Sequence, residues 1–191
     1  MNKAMRWMVG LAVLTGLGGP GWADTYAIDP AHSSVEFRVS HLMVSKVRGN
    51  FDRFAGWIEY DPKSLSVWKA SATIEAASVN TRVEKRDAHL RGGDFFDVEK
   101  YPTLEFRSLA AEKGSAGRNR LKGQLTLHGV TKPVVLEIEE GGVTKDPWGG
   151  VRAGFTAVGK INRSEFGVGG AGGAMVGENI DIVIEIEGIK K

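Results

Sequence analysis

From Ser33 onward, apolar and polar residues take turns one by one through most of the chain. Ser33, Val35, Phe37 and Val39 fall on one side and Ser34, Glu36, Arg38 and Ser40 on the other, which is the pattern of a β-strand with one buried face. The alternation returns where Leu121, Gly123, Leu125 and Leu127 oppose Lys122, Gln124, Thr126 and His128, and where Val134, Leu136 and Ile138 oppose Val135, Glu137 and Glu139. Gly129 and Pro133 bracket a short turn between these two runs, so they read as a hairpin. Val151, Ala153, Phe155, Ala157, Gly159 and Ile161 form one late face, and Ile180, Ile182, Ile184 and Ile186 form another. Further strands are predicted at 47–60, bending at Gly56, at 70–77 and at 103–108, so that about eight strands result. Only 81–100 departs from the period, because Val83, Arg86, Asp87 and Leu90 have helical spacing and Phe95 and Phe96 follow a Gly-Gly break. One or two short helices are expected there, and a mobile loop is expected at 167–173, where five of seven residues are glycine. Neither a linker nor a repeat divides the chain.

Antiparallel strands with a single apolar face must hide that face from water, and closing them into a barrel does so while removing exposed edges. The expected fold is therefore all-β, a single extended eight-stranded antiparallel barrel. An interior of that width is either filled by side chains or holds one small ligand. The inward rows contain the small residues Ala72, Ala76, Gly123, Ala153, Ala157 and Gly159. Unfilled volume beside them is costly unless a long apolar ligand occupies it. Alternatively they sit opposite Phe37, Phe51, Phe54, Trp57, Phe106 and Phe155 in a dry, packed core. The reverse faces carry Glu36, Arg38, Lys122, Glu137, Asp181 and Glu185, which excludes a barrel embedded in lipid.

The first residues have the layout of a secretory signal. Lys3 and Arg6 precede an apolar run of 11 residues, Trp7 to Leu17, and Gly21-Trp22-Ala23 ends in a small residue. A membrane-spanning helix needs roughly 20 such residues. Cleavage is expected after Ala23, leaving a single domain at 24–191. Losing Lys3 and Arg6 makes the acids and bases equal, which argues against a nucleic-acid partner. The 191 residues include no cysteine, so disulfides, thiolate metal sites and a thiol nucleophile are ruled out together, and the periplasm suits such a chain. His32 and His41 are nine positions apart, on opposite faces of a regular strand, and make poor joint metal ligands. No Gly-x-Ser-x-Gly or His-Glu-x-x-His pattern occurs, and neither a metal, a cofactor nor a catalytic set is expected. Arg86, Asp87 and His89 either gate a barrel mouth or tie the short helix to its neighbours. Arg163 either faces the lumen and meets a ligand head group or pairs with Glu165 or Asp52. His128 and the Glu139-Glu140 pair read as solvated.

The chain also resembles a known family in residues spread along its length. These are Asp29-Pro30-Ala31-His32-Ser33-Ser34-Val35-Glu36-Phe37, His41, Val47-Arg48-Gly49-Asn50-Phe51, Ser78-Val79-Asn80-Thr81, Arg86-Asp87-Ala88-His89-Leu90 and Asp94-Phe95-Phe96-Asp97. Tyr101-Pro102-Thr103, the run from Gly123 to Val134, and Ile161-Asn162-Arg163-Ser164-Glu165-Phe166-Gly167 continue the match. In this order they resemble the YceI family, periplasmic polyisoprenoid-binding proteins with a lipocalin-like barrel. The resemblance implies a hydrophobic pore that holds an isoprenoid chain, such as a quinone tail or a polyprenyl lipid, without covalent chemistry. It also implies a homodimer.

The expected lumen lining is Phe37, Val39, His41, Phe51, Phe54, Trp57, Leu125, Leu127, Ala153, Phe155, Ala157, Ile161, Arg163, Ile182 and Ile184. The expected function is non-catalytic binding of an isoprenoid lipid for transport, storage or stress response, with at most transient membrane contact. The competing expectation is a barrel enzyme acting on an apolar isoprenoid substrate through Arg163, His41 or Asp87.

Overall fold

The computed structural model describes residues 23–170 and 175–191. The expected signal peptide, up to Trp22, and 171–174 of the expected glycine-rich loop lie outside them. Eleven strands form one sheet: β1 (Asp24–Ile28), β2 (Ser34–His41), β3 (Ser45–Phe51), β4 (Phe54–Tyr60), β5 (Lys69–Glu75), β6 (Val79–Asn80), β7 (Thr103–Lys113), β8 (Asn119–Leu127), β9 (Val130–Lys145), β10 (Val151–Asn162) and β11 (Val176–Lys190). A single α-helix among the described residues, α1 (Glu84–Arg91), sits between β6 and β7. Every pairing is antiparallel. β1 and β2 are successive pieces of one stave, as are β3 and β4, and β5 and β6, so the sheet has the eight staves expected. It closes on itself because β11 pairs with β2 through Ile180↔Val39 and Ile184↔Val35, then with β1 through Ile189↔Ala27.

The stave breaks decide which side chains face inward. β3 and β4 part at Asp52 and Arg53, not at the expected Gly56. Ser78 causes this: its carbonyl accepts from the Asp52 amide at 3.1 Å and its hydroxyl oxygen accepts from the Arg53 amide at 3.0 Å, replacing ladder bonds. The interruption shifts the alternation by one residue, so Phe51 and Phe54 both line the interior and Trp57 falls on the outside, opposite Ala27 and Ser71. Between β8 and β9 the turn is His128-Gly129, both with positive φ (53° and 74°), and Pro133 lies inside β9 against Gln124. β7 extends beyond Ser108 through a bulge that exposes Leu109.

Strand direction gives the barrel two unlike ends. The upper end carries the β2–β3 and β8–β9 turns, α1 with the residues after it, and the segment between β10 and β11. The core there includes Val35, Phe51, Ile74, Val79, Phe95, Leu125, Leu127 and Phe166. The lower end is plugged by aromatic rings: Tyr60 lies 5.0 Å from Trp68 and 4.9 Å from Phe155, centroid to centroid, and 6.3 Å from Tyr26. The Tyr60 hydroxyl donates to Glu140, which also accepts from Asn119 Nδ2 at 2.8 Å. Burial, with this carboxylate beside it, pushes the Tyr60 phenol well above its usual range. Glu140 thus ties the plug together instead of being simply solvated.

Outside the plug, Arg152 joins three segments. Its Nε donates to Asp146 at 3.0 Å, and its Nη1 donates to Asp29 at 3.0 Å and to Glu187. Asp29, His32 and Glu187 come together here, and Arg152 balances both carboxylates. His32 and Arg152 hold the Asp29 carboxyl below its ordinary value, and Arg152 does the same for Asp146. Carboxyls with depressed folded values contribute stability that is present above their unfolded pKa and is lost as pH falls toward the folded one. Arg152→Met should therefore lower the melting temperature near neutrality, and its deficit relative to wild type should shrink as pH falls from about 7 to about 3. Thermal melts followed by circular dichroism test this; a deficit that stays constant over the range would assign Arg152 a packing role only.

Candidate functional site

The barrel axis contains two abutting apolar chambers. The upper one, about 190 Å³, is lined by Phe37, Val39, Phe51, Phe54, Leu125, Leu127, Ile161 and Ile182, and is roofed by Leu90, Phe95 and Phe96 from the α1 segment. The lower one, about 100 Å³, is lined by Leu121, Ile138, Phe155, Ala157 and the plug residue Trp68. Ile28, Ala72, Phe106, Leu136, Ile184 and Ile186 border both and form a waist. A dry engineered cavity of about 150 Å³ takes benzene. The upper chamber as it stands thus suits about one or two isoprene units, and a longer tail must turn aside the waist side chains to descend.

The small inward residues fall into two different surroundings. A Cβ on Gly123 would lie 2.5 Å from the Phe106 ring and one on Gly49 would lie 2.4 Å from the Phe37 ring, so these glycines let aromatic rings lie against the backbone. Ala72 and Ala157 instead border empty space.

Most of the lining expected from sequence converges on the chambers. Three residues do not. Trp57 faces outward because of the shift at Asp52 and Arg53. Ala153 is 1% exposed and packs in the lower core without bordering either chamber. His41 ends β2 at the rim, half-buried, opposite Val176 and Ser45. Sequence reasoning left Leu90, Phe95 and Phe96 out of the lining. The aromatic doublet after Gly92-Gly93 was their visible signal.

Arg163 borders the upper chamber and an outer cleft of about 710 Å³ that also touches Ser40, Leu42, Met43, Val168, Val176 and Glu178. Neither expected ion pair is its main anchor. Its guanidinium donates to the carbonyls of Val168 at 2.7 Å, Gly169 at 3.1 Å, Val176 at 2.9 Å and Gly177 at 3.0 Å. These bonds pin the two ends of the β10–β11 connection where the chamber meets the cleft. The α1 polar residues are structural: Arg86 Nε donates to Thr81 Oγ1 at 2.7 Å, and the Thr81 amide donates to the buried Asp87 at 2.9 Å. His89 lies 3.6 Å from Asp94 and packs its ring edge to face on Phe95. His128 is half-buried against Tyr101, with ring centroids 4.5 Å apart, instead of being simply solvated.

The chain matches the YceI-like domain over residues 26–188. It is 36% identical over 193 residues to a UPF0312 protein of Vibrio cholerae serotype O1, covering all of both chains. The crystal structure of a Campylobacter jejuni YCEI protein superposes with a TM-score of 0.72 at 33% identity, covering 98% of this chain and 99% of that one. A polyisoprenoid binding domain from Saccharophagus degradans gives a TM-score of 0.64 at 16% identity, covering 90% of this chain and 100% of that one, which is a likeness of fold alone. With its lipocalin-like closed barrel and a match that spans the described staves, the chain belongs to the YceI family.

Proposed function

We propose that the protein is a periplasmic carrier that holds the tail of an isoprenoid lipid in the barrel lumen, for transport, storage or stress response, without chemically changing it. The observation that carries this reading is an apolar tube plugged below and bordered above by an open cleft. Residues 1–23 would serve as its cleaved export signal. An isoprene unit of five carbons contributes about 4 kcal/mol gross when buried, so a few units offset the ~4 to 15 kcal/mol cost of association. Affinity then follows the tail, and the head group matters little. Of the three residues that an enzyme would use, Asp87 is engaged by Thr81 and Arg163 by backbone carbonyls, while His41 lies at the rim outside both chambers. The isoprenoid ligand named for the Saccharophagus degradans domain is compatible with this reading.

Binding should tighten by about tenfold or more with each of the first isoprene units added to a quinone series and then level off once the lumen is full. Exchanging the head group should change it little. Calorimetry or fluorescence titration measures both, and the opposite ranking would sink the carrier reading. Ala72→Trp, which fills the waist, should weaken binding of long tails by about tenfold or more while the barrel stays folded. Native mass spectrometry of wild type and variant reads the retained lipid, and equal retention would place the ligand outside the lumen.

A further inference from the structure

The β2–β3 turn is built against its own stability. Leu42, Met43 and Val44 are 53%, 98% and 83% exposed. Leu42 and Met43 both hold left-handed backbone, with φ of 52° and 58°, a conformation that glycine or asparagine takes readily and bulky apolar residues resist. The turn is nonetheless fixed: the Val44 amide donates to His41 O at 3.1 Å, and the Leu42 amide donates to Met175 O at 2.9 Å. Exposure and strain together mean that folding gains little from these side chains. Their position supplies another use, because Leu42 and Met43 form one wall of the cleft beside the upper chamber, near the 58% exposed Met175.

Below the turn the outer face is basic. Lys46 lies two residues from Val44, and the register sets Arg48, Arg38, Asp181 and Lys160 side by side across β3, β2, β11 and β10. Asp181 is shared by Lys46 at 3.2 Å and Lys160 at 3.4 Å, so one carboxylate stands among the three cations of this row and Lys46 above it. At ~3.3 Å per residue the row sits four residues, about 13 Å, beneath Leu42 and Val44, a gap that long Lys and Arg side chains can span to lipid phosphates when the apolar side chains enter the acyl boundary. Glu178, bonded to Asn162, lines the same cleft as Leu42 and Met43, so the mouth side of the tip carries one acid against the basic row on its outer face.

We propose that Leu42-Met43-Val44 is a membrane-docking tip that seats the cleft end of the barrel on an anionic lipid bilayer, with Lys46, Arg48, Arg38 and Lys160 contacting the head groups. This rests on the carrier reading for its purpose, and not for its geometry. A second exposed apolar turn, at Trp148 (84% exposed), belongs to the lower end, where docking would hold the upper end away from the lipid.

The test is co-sedimentation of the protein with vesicles of phosphatidylethanolamine and phosphatidylglycerol, against vesicles of pure phosphatidylcholine. Wild type should bind the anionic vesicles more tightly, and added salt should reduce the difference. Leu42→Asn combined with Met43→Gly should lower vesicle binding by about tenfold or more while leaving the melting temperature equal or higher, since the new residues suit the turn. Trp148→Ser should bind as wild type does. Equal binding by the double variant, loss of binding in the Trp148 variant, absence of binding by wild type, or a change only in self-association would each overturn the docking proposal. Lipid retained by the same proteins is read by mass spectrometry: an empty lumen would refute carriage independently of the vesicle result.

Discussion

Closure of β11 on β1 and β2 is the constraint that the rest of the molecule obeys. Once the last stave is hydrogen-bonded to the first, every inward side chain is committed to one shared interior, and the only freedom left is how completely that interior fills. It fills incompletely. At ~24 cal/mol per Å³, chambers of about 190 and 100 Å³ cost on the order of 7 kcal/mol, which is comparable to the whole net stability of an ordinary domain. A fold that tolerates such a cost gains stability from whatever enters the space, so occupancy and folding are linked through the same side chains.

The compensation lies at the ends. Below, Tyr26, Tyr60, Trp68 and Phe155 pack ring on ring, and Glu140 satisfies Tyr60 and Asn119. To one side Arg152 binds the Asp29 turn, the β9–β10 turn and β11 into one node. Above, Arg163 gathers backbone carbonyls from both ends of the β10–β11 connection. Polar groups thus hold the periphery, and the axis between them stays apolar.

The staves were legible from the period of two alone, because register in a barrel with one buried face cannot slip by a residue without turning its apolar row to water. Leu121 to Leu127, Val151 to Ile161 and Ile180 to Ile186 face the way the alternation says. Trp57 shows where this ends: Ser78, far along the chain, interrupts the stave at Asp52 and Arg53 and reverses the phase beyond it. Local pattern carries no trace of such a long-range bond. Volume was equally hidden, since Gly123 and Ala72 look alike in sequence, yet one is covered by a phenylalanine ring and the other borders empty space. For Arg163 the sequence leaves a lumen position and an ion pair both open; the structure sets it at the edge of the upper chamber with carbonyl partners, which no residue pattern encodes.

The aromatic plug makes the tube blind. A flexible guest can then advance only tip first and withdraw only in reverse, and the distance from mouth to plug sets how much of it is sheltered from water. Under the carrier reading, molecules longer than that depth would leave a measured remainder outside, and the barrel would act as a ruler as well as a container.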